Sequence, residues 1–266
     1  GFKGVDFMYE PEAAAIANGA GADGSIGLIV DIGGGTSDFS LFAPDTKATH
    51  GIEIIASHGV RVGGTNFDRT ISLDHVMPLL GKGAEIRFEM GPGSLPAPID
   101  LFNDLATWEK IPFLYTAQIR RDVDRMRRNA VDPVRIARLA TVLEAELGHE
   151  IAFAVERGKI AANRGDNDAS VLLGMVERGL RAGITPGSLA GSVDPHAVRV
   201  SAAAHETLRL AGLTPSQVDR VVFVGGSSLM ISVSDAMRAI FPHATFEYAE
   251  VLTAVVDGLA IAAAKA

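Results

Sequence analysis

The chain has 266 residues, 47% of them hydrophobic and 21% charged, with a formal net charge of -8 and no cysteine. That composition describes a globular protein long enough to bury a core as one large domain or two small ones. An acidic balance argues against nucleic acid as the main partner, the missing cysteines exclude disulfides and thiolate metal sites, and no run reaches the roughly 18 apolar residues of a membrane span.

Along the chain, Val5 to Met8 reads as a strand already in progress. The start shows no basic-then-apolar signal pattern, so the chain reads as soluble, and with no initiator methionine before a strand in progress it reads as a fragment of a longer protein. "YEPEAAAIANG" follows as a short helix, with Pro11 at its first turn and Gly19 as its stop. Ile26 to Ile32 reads as a buried strand, and Phe39, Leu41 and Ala43 fall on one face of a second. Between them lies "DIGGGTSD", Asp31 to Asp38. A third strand covers Ile52 to Ser57, and a helix begins after Gly63 and Gly64. "MGPGSLPAPI", Met90 to Ile99, reads as a surface loop, and the text from Ile111 to about Arg164 is helical, with Asp132 and Pro133 as cap and first residue. "GITPGSLAGSVDP" separates that block from a helix near His196 to Ala211. A capping box at Thr214 to Gln217, a buried strand Arg220 to Val224, the pair Gly225–Gly226 before a helix, a short strand around Ala244 to Tyr248 and an alanine-rich helix complete the chain.

Three consecutive glycines between two acids admit two readings. One is a plain hairpin turn; the other is a phosphate grip, in which unhindered N–H groups hold phosphate oxygens while Asp31, Thr36 and Asp38 supply hard oxygen to a metal ion or its waters. The spacing excludes a Walker A loop, which needs a Gly-Lys-Ser/Thr ending, and the dinucleotide fingerprint, whose third glycine is replaced by Asp38. Two further glycine pairs, Gly63–Gly64 and Gly225–Gly226, stand before helix starts, where N–H groups point outward. In "VERGKIAANRG", Glu156, Lys159 and Asn163 recur at helical spacing, giving one face that is either a solvated stripe or a polar wall for a sugar and base. Arg121, Arg125 and Arg128, interleaved with Asp122 and Asp124, read as a solvated face. "HEIAF" lacks the second histidine of a zinc-protease helix, and "GGSSL" lacks the closing glycine of a nucleophile elbow.

Taken together, "YEPEAAAIA", "VDIGGGTSD", "RVGGTNFD", "VERGKIAAN" and "VVFVGGSS" resemble, in order and over the whole chain, the signature of the DnaK-type heat-shock ATPase domain. "SHGVRVGGTNFD" followed by "VMPLLGKG" is similar to the YegD-like bacterial branch. The resemblance implies an α/β, actin-like (ribonuclease H-like) ATPase lobe, residues 1–80 with 190–266, carrying a mainly helical inserted subdomain, 81–189. It implies binding of ATP or ADP with magnesium, and of potassium, with hydrolysis acting as the conformational switch of a cytoplasmic bacterial chaperone in protein folding. Catalytic roles pass to Asp31, which would orient magnesium-bound water and the attacking water, to Thr36 near the γ-phosphate, and to Glu10, a relay carboxylate near the metal. Gly33, Gly34, Gly35, Gly63 and Gly64 would contact phosphates, and Asp38 would help hold a monovalent cation. Glu156, Lys159 and Asn163 would face ribose and base, and Gly225, Gly226 and Ser227 would form the adenosine loop.

The chain departs from that pattern in places. Ile160 stands where arginine is frequent, Thr65 replaces an acid, and no acid is evident before the last helix in "AEVLTAVVDG". The first lobe, with its own phosphate loop and lysine, is not found before Gly1, so the resemblance implies the second lobe alone. That first lobe would be its main partner, beside co-chaperones or exchange factors, with neither nucleic acid nor membrane. A nearly inactive fragment of an ATPase is the expectation. A pseudo-ATPase interaction module and another actin or sugar-kinase superfamily ATPase are the alternatives.

Overall fold

The computed structural model of the chain describes residues 5, 7–20, 24–48, 51–249 and 253–264. In chain order the elements are α1 (Glu10–Ala17), β1 (Gly27–Ile32), β2 (Ser37–Pro44), β3 (Ile52–Val60) and α2 (Gly64–Ile71), then β4 (Glu85–Arg87), β5 (Ser94–Pro96), α3 (Ile99–Leu105), α4 (Ala117–Asn129), α5 (Pro133–Glu144) and α6 (Gly148–Asn163). There follow β6 (Ser170–Leu172), β7 (Arg181–Gly183), α7 (Pro186–Ala211), β8 (Arg220–Val224), α8 (Ile231–Ile240), β9 (Thr245–Tyr248) and α9 (Ala254–Ala263). The chain divides into two units: Gly1–Gly64 with Pro195–Ala266, and Thr65–Asp194. The sequence reading puts these divisions at 80/81 and 189/190; in the structure they fall inside two helices, α2 and α7.

The first unit is built on a mixed five-stranded sheet of order β3-β2-β1-β8-β9. Antiparallel hairpins join β1 to β2 and β2 to β3, while β8 and β9 add in parallel. β1 (GLIVDI) is central and its aliphatic run is buried. β2 was expected to bury one face; instead Ser40 and Phe42 are buried as well as Phe39 and Leu41, because α1 and α9 contribute to a core over Phe42 and Ile29. Burying a side chain of that size contributes about 2–3 kcal/mol. α1 and α9 approach backbone to backbone: a Cβ on Gly258 would collide with the Ala13 carbonyl.

The second unit is mainly helical, with buried Phe67, Phe102, Ile136, Leu139 and Leu143 among its apolar residues. Its helices start where capping side chains allow: Thr116 Oγ1 accepts from the Ile119 N–H at 3.2 Å and Asp132 Oδ1 from Val134 N–H at 3.2 Å. Arg138 forks onto Glu177, with Nε to Oε2 at 2.6 Å and Nη2 to Oε1 at 3.0 Å.

Several expectations are corrected. Val5, Phe7 and Met8 are in no strand, and Asp6 lies outside the described residues. β3 runs on to Val60, three residues past Ser57. "MGPGSLPAPI" is not all loop, since Ser94–Pro96 pairs with Glu85–Arg87 as a hairpin. "GITPGSLAGSVDP" does not separate two elements: α7 already begins at Pro186 and carries Pro195 within it. A proline ring presses on the carbonyl four residues earlier, here Gly191, whose missing Cβ leaves that backbone freer to adjust. The box at Thr214 closes a single 3-10 turn, Pro215–Gln217, with the Thr214 N–H donating to Gln217 Oε1 at 2.9 Å.

Candidate functional site

The three glycine turns of the first unit meet at the end of β1. Asp31 pairs with Asp38 and Ile32 with Ser37, leaving residues 33–36 as the connection, closed by the Gly33 N–H donating to the Thr36 carbonyl at 3.0 Å. The Gly64 N–H donates to the Gly33 carbonyl at 3.0 Å, and the buried Ser37 Oγ donates to the Val62 carbonyl at 2.7 Å. A Cβ on Gly63 would lie 2.5 Å from the Gly34 oxygen, and one on Gly64 would strike Ser227 Oγ. Gly225 combines a φ of +82° with a Cβ position 2.5 Å from the Ile32 oxygen and 2.9 Å from Asp31 Oδ1. Only glycine meets both demands. The sequence-derived residues Asp31, Gly33, Gly63, Gly64, Gly225 and Ser227 therefore share one place.

The triplet itself behaves differently. Gly33, Gly34 and Gly35 are absent from the positive-φ positions, a Cβ on Gly34 or Gly35 would meet nothing within 4 Å, and one on Gly33 would reach only the Thr36 oxygen at 3.7 Å. Neither conformation nor packing in this chain requires glycine there. What the absent side chains leave is an open backbone strip with Gly34, Gly35 and Thr36 exposed.

Beside the strip, a cavity of about 790 Å³ is lined by Glu10, Asp31, Asp38 and His58 and by apolar residues of β2 and β3, with no lysine or arginine among the described residues of its walls. Burial of Asp31 pushes its carboxyl pKa up, and the negative charges of Asp38 and Glu10 push it further. Thr36 Oγ1 donates to Asp38 Oδ2 at 3.1 Å, and Asp38 Oδ1 fills the space a side chain on Gly59 would need. Among the described residues no three carboxylate or histidine groups lie close enough to bind a metal directly. The donor set still suits a hard cation held through water: three carboxylates share the cavity, and a cation there would offset the burial and like charge that push the Asp31 pKa up.

In the helical unit, Glu156, Lys159 and Asn163 lie on α6, but they do not form one solvated stripe. Glu156 is exposed, Asn163 half-buried, and Lys159 turns inward at 6% exposure to pair with Asp68 Oδ1 at 2.9 Å. Burial pushes the Asp68 carboxyl pKa up, and the Lys159 ammonium beside it offsets part of that. Gly158 lets α6 sit on β6, with a Cβ there 3.2 Å from the Ser170 oxygen. Sequence reasoning passed over Asp68, although it closes the quoted "GGTNFD". The exposed Ile160 brings no guanidinium to this face. Glu250, Val251 and Leu252, where the acid before the last helix was sought, lie outside the described residues.

No protein-family model matches the chain. It is 26% identical over 244 residues to the chaperone protein HscA homolog of Burkholderia cenocepacia, covering 91% of this chain and 29% of that protein. It is 39% identical over 77 residues to the heat shock 70 kDa protein BIP3 of Oryza sativa subsp. japonica, covering 27% of this chain and 11% of that one. The chain thus spans less than a third of the length of either relative. These similarities relate it, at low identity, to the 70-kDa heat-shock chaperones, and the mixed sheet with flanking helices is compatible with an actin-like ATPase lobe. No helix of the described residues is long and apolar enough to cross a membrane.

Proposed function

We propose that the chain is the second lobe of the nucleotide-binding domain of a heat-shock-type chaperone of the YegD-like branch, binding ATP and ADP with magnesium as a conformational switch. The observation that carries this reading is the contrast at the end of β1, where Gly63, Gly64 and Gly225 are crowded by their surroundings while Gly34 and Gly35 are open. An exposed glycine backbone beside three carboxylates suits phosphate together with a cation. A polyphosphate alone would be repelled by Asp31, Asp38 and Glu10.

In this reading the exposed backbone at Gly34 and Gly35 holds phosphate oxygens, Gly33 closes the turn beneath them, and the Thr36 hydroxyl exchanges its bond to Asp38 for one to phosphate, with Gly63, Gly64, Gly225, Gly226 and Ser227 closing around them. Magnesium, when bound, supplies the positive charge that phosphates and carboxylates both need. Asp31 orients water, and its raised pKa suits it to draw a proton from water more strongly than an ordinary aspartate does. Asp38 positions Thr36 through their hydrogen bond until phosphate takes it, and contributes to the potassium site, while Glu10 adds a third negative charge at the same cavity. The work is electrostatic positioning without a covalent step. In the helical unit, Glu156 and Asn163 are the ribose and base contacts of this reading, and Lys159 acts beside them by neutralising Asp68. A first lobe elsewhere in the longer protein would supply the rest of the clamp, and exchange factors would act on the assembled domain in the bacterial cytoplasm.

The test is calorimetric titration of ATP and ADP with magnesium into the longer protein and into this chain, each beside an Asp31→Asn, Thr36→Ala variant. Saturable binding by the longer protein, weaker in this chain, with phosphate release that the variant loses, is the expected result. If the longer protein takes up no nucleotide, the reading fails and the chain becomes a pseudo-ATPase interaction module.

A further inference from the structure

A second cavity, of about 240 Å³, lies wholly within the helical unit, and of its walls the nucleotide reading uses only Glu156. Leu105, Trp108 and Phe153 supply apolar surface, and Asp68, Arg69 and Glu156 supply charge. Trp108 and Phe153 meet edge to face at 5.2 Å, yet stay 40% and 49% exposed around the concavity. Aromatic side chains left bare around a hollow are a common feature of ligand sites.

The charges are arranged in an unusual way. Asp68 is neutralised by Lys159 at 2.9 Å. Arg69 gives its hydrogen bonds to neutral oxygens, Thr107 Oγ1 at 3.1 Å and Asn103 Oδ1 at 3.3 Å, and so keeps its full positive charge. Neither Arg69 nor Glu156 has an ion-pair partner among the described residues. One open cation and one open anion thus line the same small, aromatic-walled hollow. A purely cationic ligand would be opposed by Arg69 and a purely anionic one by Glu156. The volume falls below the roughly 300–1,000 Å³ typical of drug-sized sites.

We propose that this cavity binds a small zwitterion of the α-amino-acid class with an apolar or aromatic side chain, its carboxylate on Arg69, its ammonium on Glu156 and its side chain against Trp108 and Phe153. Such a ligand would satisfy both charges at once and bury its apolar part on the aromatic wall.

Trp108 is the single tryptophan of the chain, so its emission reports on this cavity alone. The experiment is a fluorescence titration of the full 266-residue chain, without nucleotide, with L-phenylalanine. Phenethylamine, 3-phenylpropionate and N-acetyl-L-phenylalaninamide are titrated beside it. Saturation by L-phenylalanine, with each analogue weaker by about tenfold or more, is the expected result, since a hydrogen bond to a charged group contributes about 1.5–3 kcal/mol. Glu156→Gln should cost a similar factor and Arg69→Lys, which keeps the charge, less than Arg69→Gln. Asp31→Asn should leave the titration unchanged while impairing nucleotide binding, so the two readings fail separately. No saturable change up to about 10 mM, a level at which even weak millimolar binding shows, or equal binding by the neutral analogue, overturns the proposal.

Discussion

Two sets of glycines face each other at the end of β1, and they are glycine for opposite reasons. Gly63, Gly64 and Gly225 lack side chains because the protein has filled the space: the Gly34 oxygen, Ser227 Oγ and the Ile32 oxygen stand where a Cβ would be. Gly34 and Gly35 lack side chains although nothing within 4 Å would meet one. The first set builds the junction of three turns, and the second keeps a surface of that junction bare. A residue chosen for room it does not use in the folded chain points to something outside the chain.

Substitutions separate the two sets. Gly225→Ala should have the largest effect, about 3 kcal/mol of stability lost, because it combines a left-handed backbone with a clash against a backbone carbonyl. Urea denaturation reads it as a lower midpoint at unchanged slope. Gly63→Ala, with a clash but no unfavourable φ, should cost about 2 kcal/mol in the same measurement. Gly34→Ala should alter stability by less than about 1 kcal/mol, and even a gain is compatible with the smaller entropy of the unfolded chain. On the proposed function the same variant weakens MgADP about tenfold by calorimetry. Should Gly34→Ala destabilise as much as Gly63→Ala, the distinction between the sets collapses.

Asp31→Asn gives the smallest and most diagnostic change, a gain in stability at neutral pH. Its folded pKa lies above the ordinary 3.8, so the folded chain carries a penalty once Asp31 ionises. That penalty is absent below the unfolded value, grows as pH rises towards the folded one, and is full above it. The thermal midpoint of Asp31→Asn should therefore exceed that of the parent at pH 7, and the margin should shrink as pH falls towards 4. A margin that widens on acidification would mean that Asp31 is stabilised as a carboxylate in the folded chain.

The elements that carry the site were legible because their signals are local. Aliphatic runs mark β1 and β8, the glycine triplet after β1 marks its hairpin with β2, and Asp132–Pro133 announces α5. What escaped depends on partners distant in sequence. β4, β5, β6 and β7 are three residues each, too short to show a period, and exist through each other. α7 passes through Pro195 despite a punctuation signal that ordinarily ends a helix. Lys159 reads as surface charge until Asp68, ninety-one positions earlier, is brought beside it. The glycine turns could be counted from the sequence, but which glycines are crowded and which are open could not.

Strand β1 also sets a schedule for folding. One of its edges pairs with β2, made within the next few residues; the other waits for β8, whose Val224 pairs with Asp31. At 5–20 residues per second, synthesis of the intervening 190 or so residues takes on the order of ten to forty seconds. For that interval the nascent chain carries an apolar strand with one ladder of hydrogen bonds unmade, a template for pairing with a wrong partner. Thr65–Asp194, continuous in sequence, is complete before β8 is made. The first unit is thus the part of the chain whose central strand stays open to mispairing longest during synthesis.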